Sequence, residues 1–413
     1  LSRGPRQDFI VGAVLLALAG WVCPAQAADS TPGQAARGRY LAEAGDCVAC
    51  HTVAGAAPYS GGRALVTPFG VIYTPNLTPD GATGLGLWSA DDFYRALHNG
   101  VSRNGSRLYP AFPFPYFTRL SRSDADDLKA FFDTLKPVNN RRPPNELPWP
   151  LSARTSMRGW NLLFFRAGGS TQREGKSAQW NRGAYLVDAL GHCGACHTAK
   201  NSLGADKNAE RLQGGEILDW LAPNLSGDLR SGLGAWSADD IVEYLHSGRN
   251  ARALAGGPMR EVIENSTSKL DDADLRAIAV YLKDLPAGGL DGAGERIDAA
   301  VMAAGEAIFV DACSACHARS GAGLPRAFAP LKGSAVVQSQ DPLNVVRVLL
   351  TGARVAATDA RPTPFTMPSF AWKLSDAELA AVATYVRNSW GNAAPAVSAA
   401  QVKTLRNRLA RSD

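Results

Sequence analysis

The residues best equipped for chemistry are six cysteines and three histidines in one repeated arrangement. Cys47-Val48-Ala49-Cys50-His51 recurs as Cys193-Gly194-Ala195-Cys196-His197 and as Cys313-Ser314-Ala315-Cys316-His317, leaving only Cys23 unused. In such a run, two thiols can add to the two vinyl groups of a haem while the next residue presents an imidazole to its iron from the same short helical turn. Zinc also uses Cys-x-x-Cys pairs but needs pairs that converge on one ion, and disulfides need only an oxidising compartment. Neither calls for a histidine directly after every pair. The pattern therefore predicts three covalent haems c, held through Cys47, Cys50, Cys193, Cys196, Cys313 and Cys316, with His51, His197 and His317 as proximal iron ligands.

The far side of each iron is the next question, because a thioether there raises the reduction potential. The chain has four methionines. Met259, in Gly256-Gly257-Pro258-Met259, and Met367, in Thr366-Met367-Pro368, each precede a terminal helical pattern and are the expected trans ligands of the second and third haems. A methionine is otherwise core filler, but the proline neighbours and matched positions favour ligation. Nearly the same offset in the first copy lands on Phe112, in Tyr109-Pro110-Ala111-Phe112-Pro113, and phenylalanine cannot bind iron. The first haem thus has either no protein ligand from its usual loop, or His98 or Met157 in that place. His98 has a counterpart in His246, where Met259 is already available, so the pair also fits a structural or propionate-binding role.

The elements that must position these groups repeat too. Each motif follows a short helical pattern with a glycine and an aromatic, Gly38 with Tyr40, Gly183 with Tyr185 and Gly305 with Phe309, and such a glycine permits close helix packing. Each copy ends in an amphipathic stretch, around 124–135, 271–282 and 376–386, so two terminal helices crossing over a haem are expected. Copies one and two also share Pro75-Asn76-Leu77 with Pro223-Asn224-Leu225, read here as fold maintenance. They share Trp88-Ser89-Ala90-Asp91-Asp92 with Trp236-Ser237-Ala238-Asp239-Asp240, where Ser89 and Ser237 are expected helix N-caps. Copy three lacks that cap and is shorter.

With 413 residues, 46% hydrophobic and 20% charged, the chain suits a multidomain globular protein. The formal charge of +5 would be offset by the roughly six propionates of three haems, and nucleic acid is not implied. An apolar run from Phe9 to Val22 leading to Ala25-Gln26-Ala27 is expected to be a signal peptide over 1–27, taking Cys23 with it; its length is short for a membrane anchor. The expected organisation is a module at 28–136, a linker at 137–174, a module at 175–286, a linker at 287–296, a module at 297–393 and a tail at 394–413. In the tail, Val402, Leu405 and Leu409 share one helical face, which suits packing on its own domain or docking on a membrane. The run Trp160-Asn161-Leu162-Leu163-Phe164-Phe165 is unusual for a linker and is expected to pack internally, or else to meet a partner subunit.

Over roughly residues 34 to 390 the chain resembles the triheme cytochrome c subunits of membrane-associated bacterial dehydrogenases. The resemblance rests on Tyr40-Leu41-Ala42, Gly45-Asp46 with the first motif, Thr67-Pro68-Phe69-Gly70, Trp180-Asn181-Arg182-Gly183-Ala184-Tyr185, Gly191-His192 with the second motif, and Gly248-Arg249-Asn250. It implies a mainly α fold of three tandem class I cytochrome c domains. It further implies a role in passing electrons from a catalytic dehydrogenase subunit to ubiquinone or another cytochrome, at the periplasmic face of the inner membrane. Alcohol-dehydrogenase-type members carry methionine where this chain has Phe112. The phenylalanine form, followed by Phe114-Pro115-Tyr116-Phe117, is more similar to cytochromes accompanying molybdopterin and iron–sulfur aldehyde or N-heterocycle oxidoreductases. The alternative partners are a PQQ alcohol dehydrogenase or an FAD sugar or gluconate dehydrogenase. On this reading the chain is not catalytic alone. A haem peroxidase would need a distal acid–base group, for which His98 is the one candidate, and a gas- or redox-sensing module would need an open first iron.

Overall fold

The computed structural model describes residues 1, 2, 4, 32–169, 171–288 and 296–411. Most of the expected signal peptide and most of the 287–296 linker lie outside the described residues. Among the described residues the chain is helical, relieved by three two-stranded antiparallel hairpins, one in each repeat.

The first repeat runs α1 (Pro32–Ala44), α2 (Cys47–His51), the hairpin β1 (Ala64–Thr67) and β2 (Gly70–Tyr73), α3 (Ala90–Asn99), α4 (Phe114–Phe117) and α5 (Arg122–Asp133). Ser89 caps α3 as predicted: its hydroxyl accepts from the Asp92 backbone while the Asp92 carboxylate accepts from the Ser89 backbone, and Gly100 ends the helix at a φ of 62°. α1 crosses α5 at Gly38, where a Cβ atom would stand 1.8 Å from the Asp127 carbonyl oxygen, so no other residue fits.

The segment after α5 does not hang free. Asn140 donates to the Ser60 carbonyl at 2.9 Å, Glu146 exchanges backbone bonds with Val71, and the Tyr109 hydroxyl donates to the Leu151 carbonyl at 2.7 Å. It ends in α6 (Ser156–Phe164). Trp160 and Phe165 rest on Phe114, with ring centroids 6.3 and 4.9 Å away, whereas Leu162 and Leu163 face solvent.

The second repeat follows the same order: α7 (Ala178–Tyr185), extended by a wide turn to Leu190, α8 (Gly194–His197), β3 (Gly215–Ile217), β4 (Trp220–Ala222), α9 (Ala238–Ser247), α10 (Pro258–Asn265) and α11 (Asp272–Lys283). The third has α12 (Ala299–Ala312), α13 (Ser314–His317), α14 (Leu343–Thr351), β5 (Ala353–Arg354), β6 (Thr366–Met367), α15 (Asp376–Asn388) and α16 (Ala399–Leu409). Gly183 and Gly305 repeat the crossing: their Cβ atoms would lie 2.0 Å from the Ala277 carbonyl and 2.3 Å from that of Ala381.

The first two repeats share one hydrophobic core, in which Leu41, Phe131 and Phe132 join Leu186, Leu275 and Leu282. The third has its own, built on Phe309, Val346, Leu379 and Val382. Val402, Leu405 and Leu409 of α16 are buried in that third core, so the apolar face of the tail helix packs on its own repeat and is not open to a membrane. Repeats two and three are stitched side by side: the Leu221 backbone exchanges two bonds with the Asn344 amide, at 2.9 and 2.8 Å, and Arg347 stacks on Trp220 at 4.8 Å.

Candidate haem sites

Each Cys-x-x-Cys-His run forms a single helical turn, which puts both thiols and the imidazole on one short element. The six cysteines of these motifs are free thiols, and among the described residues no cluster of three or more His, Cys, Asp or Glu side chains gathers as a zinc centre would require. Burial pushes the Cys47 and Cys193 thiols up to about 12 and the Cys313 thiol up to about 11, keeping them neutral.

The histidines carry the clearest signature. Nδ1 of His51 lies 2.8 Å from the Pro75 carbonyl oxygen, that of His197 2.7 Å from the Pro223 carbonyl and that of His317 2.9 Å from the Ala329 carbonyl. A carbonyl can only accept, so Nδ1 carries the proton and Nε2 keeps its lone pair, the state an iron ligand needs. Burial favours the same state: it pushes His51 down to about 4 and lowers His197 and His317. Three free thiol pairs, each followed by an oriented neutral imidazole, fit haem c.

Pro75 and Pro223 were visible in the sequence only as a shared Pro-Asn-Leu. Their neighbours explain why it is shared: the Asn76 amide donates to the Val138 carbonyl at 2.7 Å and the Asn224 amide to the Gly288 carbonyl, pinning the carbonyl that holds each imidazole. In the third repeat Ala329, just before Pro330, takes over, so the proline is displaced by one position and the signal disappears.

Met259 is the second residue of α10 and packs with Ala255, Ile263 and Tyr244, and with Ala356 of the third repeat. Gly257 before it has a φ of 56°, and a Cβ there would meet the Trp220 ring at 2.9 Å, so the loop reaches the methionine over an indole. Met367 lies in β6, opposite Ala353, and packs on the third core. Phe112 is half-buried beside Phe117, with ring centroids 5.5 Å apart. Of the two remaining candidates for the first haem, His98 stacks on Tyr94 at 5.1 Å, whereas Met157 is buried on the inner face of α6. His192 is enclosed against Phe117 and bonds the Leu190 carbonyl at 3.1 Å.

The first two motifs lie close together. Leu190 would touch a Cβ on Gly45 at 3.3 Å, and the Cys196 sulfur is near enough to help push the Cys50 thiol up, after burial and Asp46. Tyr116 of the first repeat reaches over the second motif, where its hydroxyl would stand 2.9 Å from a Cβ on Gly194, and it donates to Asp206, which also pairs with Lys200. Val48 and Ser314 occupy the Gly194 position in the other motifs.

A family model described as cytochrome c matches three segments of the chain, residues 35–136, 181–286 and 302–390. The chain is 41% identical to the gluconate 2-dehydrogenase cytochrome c subunit of Pantoea cypripedii, over 90% of this chain and 89% of that one. It is 38% identical to the cytochrome c subunit of an alcohol dehydrogenase (quinone) of Gluconobacter oxydans, over 92% of this chain and 84% of that one. It is 40% identical to a nicotinate dehydrogenase subunit of Pseudomonas putida, over 87% of this chain but 30% of that longer protein.

Proposed function

The chain belongs to the cytochrome c family, and from that premise we propose that it is a triheme electron-transfer subunit of a dehydrogenase complex. The observation that carries the reading is the threefold imidazole whose Nδ1 is tied to a backbone carbonyl. Haem c supplies a reversible one-electron couple at its iron. The protein's own part is to hold and tune. Cys47 with Cys50, Cys193 with Cys196 and Cys313 with Cys316 would anchor the haems, while His51, His197 and His317 would present Nε2. Met259 and Met367 would complete the second and third sites and raise their potentials. With no donor at residue 112, the first site would be left open or closed by His98 or Met157. The shared core of repeats one and two keeps their motifs at fixed separation, and the Leu221–Asn344 bonds do the same for repeats two and three.

We assign the chain to the periplasmic face of the inner membrane, with ubiquinone or another cytochrome as acceptor. Among the described residues no helix is long and apolar enough to cross a membrane. Phe112 and the likeness to a nicotinate dehydrogenase subunit favour a molybdopterin and iron–sulfur partner acting on an aldehyde or N-heterocycle. The 41% identity to a gluconate 2-dehydrogenase subunit supports the second reading, an FAD sugar-acid dehydrogenase. Affinity purification of the tagged holoprotein from native membranes, followed by molybdenum and flavin assay, separates the two. In the isolated complex, substrate should reduce the haems within the turnover time; haems that stay oxidised while the catalytic subunit turns over with an artificial acceptor contradict the electron-transfer role.

A further inference from the structure

The segment between the first two repeats has a charge and exposure pattern that haem binding does not explain. From Leu147 to Arg173 there is no Asp or Glu, while Arg154, Arg158, Arg166 and Arg173 all occur. Within it, α6 divides sharply. Met157 and Asn161, one turn apart, are buried, and the Trp160 indole N–H is satisfied by the Leu203 carbonyl at 3.0 Å. On the opposite side Leu162 is 74% exposed and Leu163 65%. Arg158, one turn before Leu162, and Arg166, just past the helix end, are both exposed. Arg166 bonds only the Leu162 and Phe165 carbonyls, and neither arginine pairs with a carboxylate among the described residues.

An adjacent pair of exposed leucines is ordinarily avoided, since burying each such side chain is favourable. Here the pair stands exposed on α6, with the exposed Arg158 before it and Arg166 after it in the chain. An exposed apolar pair requires no complementary pocket from a bilayer: the leucines would enter the boundary between headgroups and acyl chains, and the arginines would reach the phosphates. The missing acids remove the repulsion that anionic headgroups would exert. The tail helix cannot serve instead, because its leucines are inside the third core.

We propose that the exposed face of α6, Leu162 and Leu163 flanked by Arg158 and Arg166, is a docking site for an anionic phospholipid surface. This rests on the reading that the protein works at the membrane face, and it names the element that meets the lipid.

The test is co-sedimentation of the purified holoprotein with vesicles of phosphatidylglycerol and phosphatidylethanolamine, against vesicles of phosphatidylcholine alone. The unaltered protein should bind the anionic vesicles and release them at high salt. The double variant Leu162→Asp, Leu163→Asp should lose binding by about tenfold or more, and Arg158→Gln with Arg166→Gln should lose it with a weaker salt dependence. Leu229→Asp, at a leucine 76% exposed elsewhere in the second repeat, should bind like the parent. Haem content and the reduced absorption spectrum are read on every variant, so a failure of the electron-carrier reading shows there and not in the sedimentation. Failure of the parent to bind overturns the proposal. So does a leucine variant that still binds vesicles but no longer copurifies with the catalytic subunit, because the face then belongs to a protein.

Discussion

Tyr40, on the first helix of the first repeat, donates its phenol hydrogen to the Asp274 carboxylate of the second repeat at 2.7 Å, and Tyr185 returns the bond to Asp124. Each aspartate is also held by an arginine of its own repeat, Asp274 by Arg182 at 2.6 and 2.7 Å and Asp124 by Arg37. Two copies of one module are thus related by an approximate twofold exchange of the same contact. The third repeat has Ala307 two residues after its crossing glycine, where the others have tyrosine, and it stands outside the exchange.

Tyr40→Phe should therefore weaken the joint between repeats one and two. A hydrogen bond to a partly buried charged group is worth about 2 kcal/mol. Urea unfolding of the holoprotein should show a loss of that order, and Tyr40→Phe combined with Asp274→Asn should cost less than the sum of the two single changes. Strict additivity would mean that the bond does not couple the repeats.

Acid should act on the same joint. Burial alone would raise the pKa of Asp274, but the bonds from Arg182 and Tyr40 hold it below the usual carboxylate range. With the folded-state value depressed, this stabilisation is complete above the unfolded value of about 4 and is lost as pH falls through the folded value. The urea midpoint should drop across that acid window, and Asp274→Asn should lack this part of the drop. A parallel decline in both proteins would place the acid sensitivity elsewhere.

Gly194→Val should disturb the second site although Val48 is tolerated at the equivalent position of the first. The new side chain would collide with the Tyr116 hydroxyl, at a cost of about 1–3 kcal/mol for overpacking. Tyr116→Phe added to Gly194→Val should restore part of the thermal stability; no recovery would show that the hydroxyl is not the obstacle.

How much of this could be read from the chain depends on whether a feature is local. The thiol and imidazole spacing lies within five residues and the cap at Ser89 is equally short-range, so both were legible, while the long-range crossing at Gly38 left its trace as a glycine repeated ahead of every motif. The Pro75 and Pro223 carbonyls were hidden because a backbone oxygen leaves no residue-type signature; the repeated Pro-Asn-Leu was their one trace. Tyr40 with Asp274 was hidden differently: both residues were in view, but nothing local says that repeats one and two face each other. Leu162 and Leu163 read as core from hydrophobicity alone, and their exposure emerges only once Met157 and Asn161 are seen to take the inner face.

The ligand roles proposed for Met259 and Met367 give a spectroscopic prediction. Met259→Ala and Met367→Ala should each lower the potential of one haem and let its ferrous form bind carbon monoxide. In the unaltered protein any carbon monoxide binding should be confined to a single haem. If Met157→Ala or His98→Ala newly permits that binding, the residue concerned is the first haem's donor. Unchanged potentials in the Met259 and Met367 variants would remove both from the iron.

The most direct measurement is the stoichiometry of covalent haem on the chain recovered from the periplasm, by intact mass and by the pyridine haemochrome spectrum after acid–acetone extraction. Three haems should remain on the polypeptide, and Cys193→Ala with Cys196→Ala should leave two. Extraction that strips the chain of haem, or an unaltered protein that never carries more than two, would contradict the account.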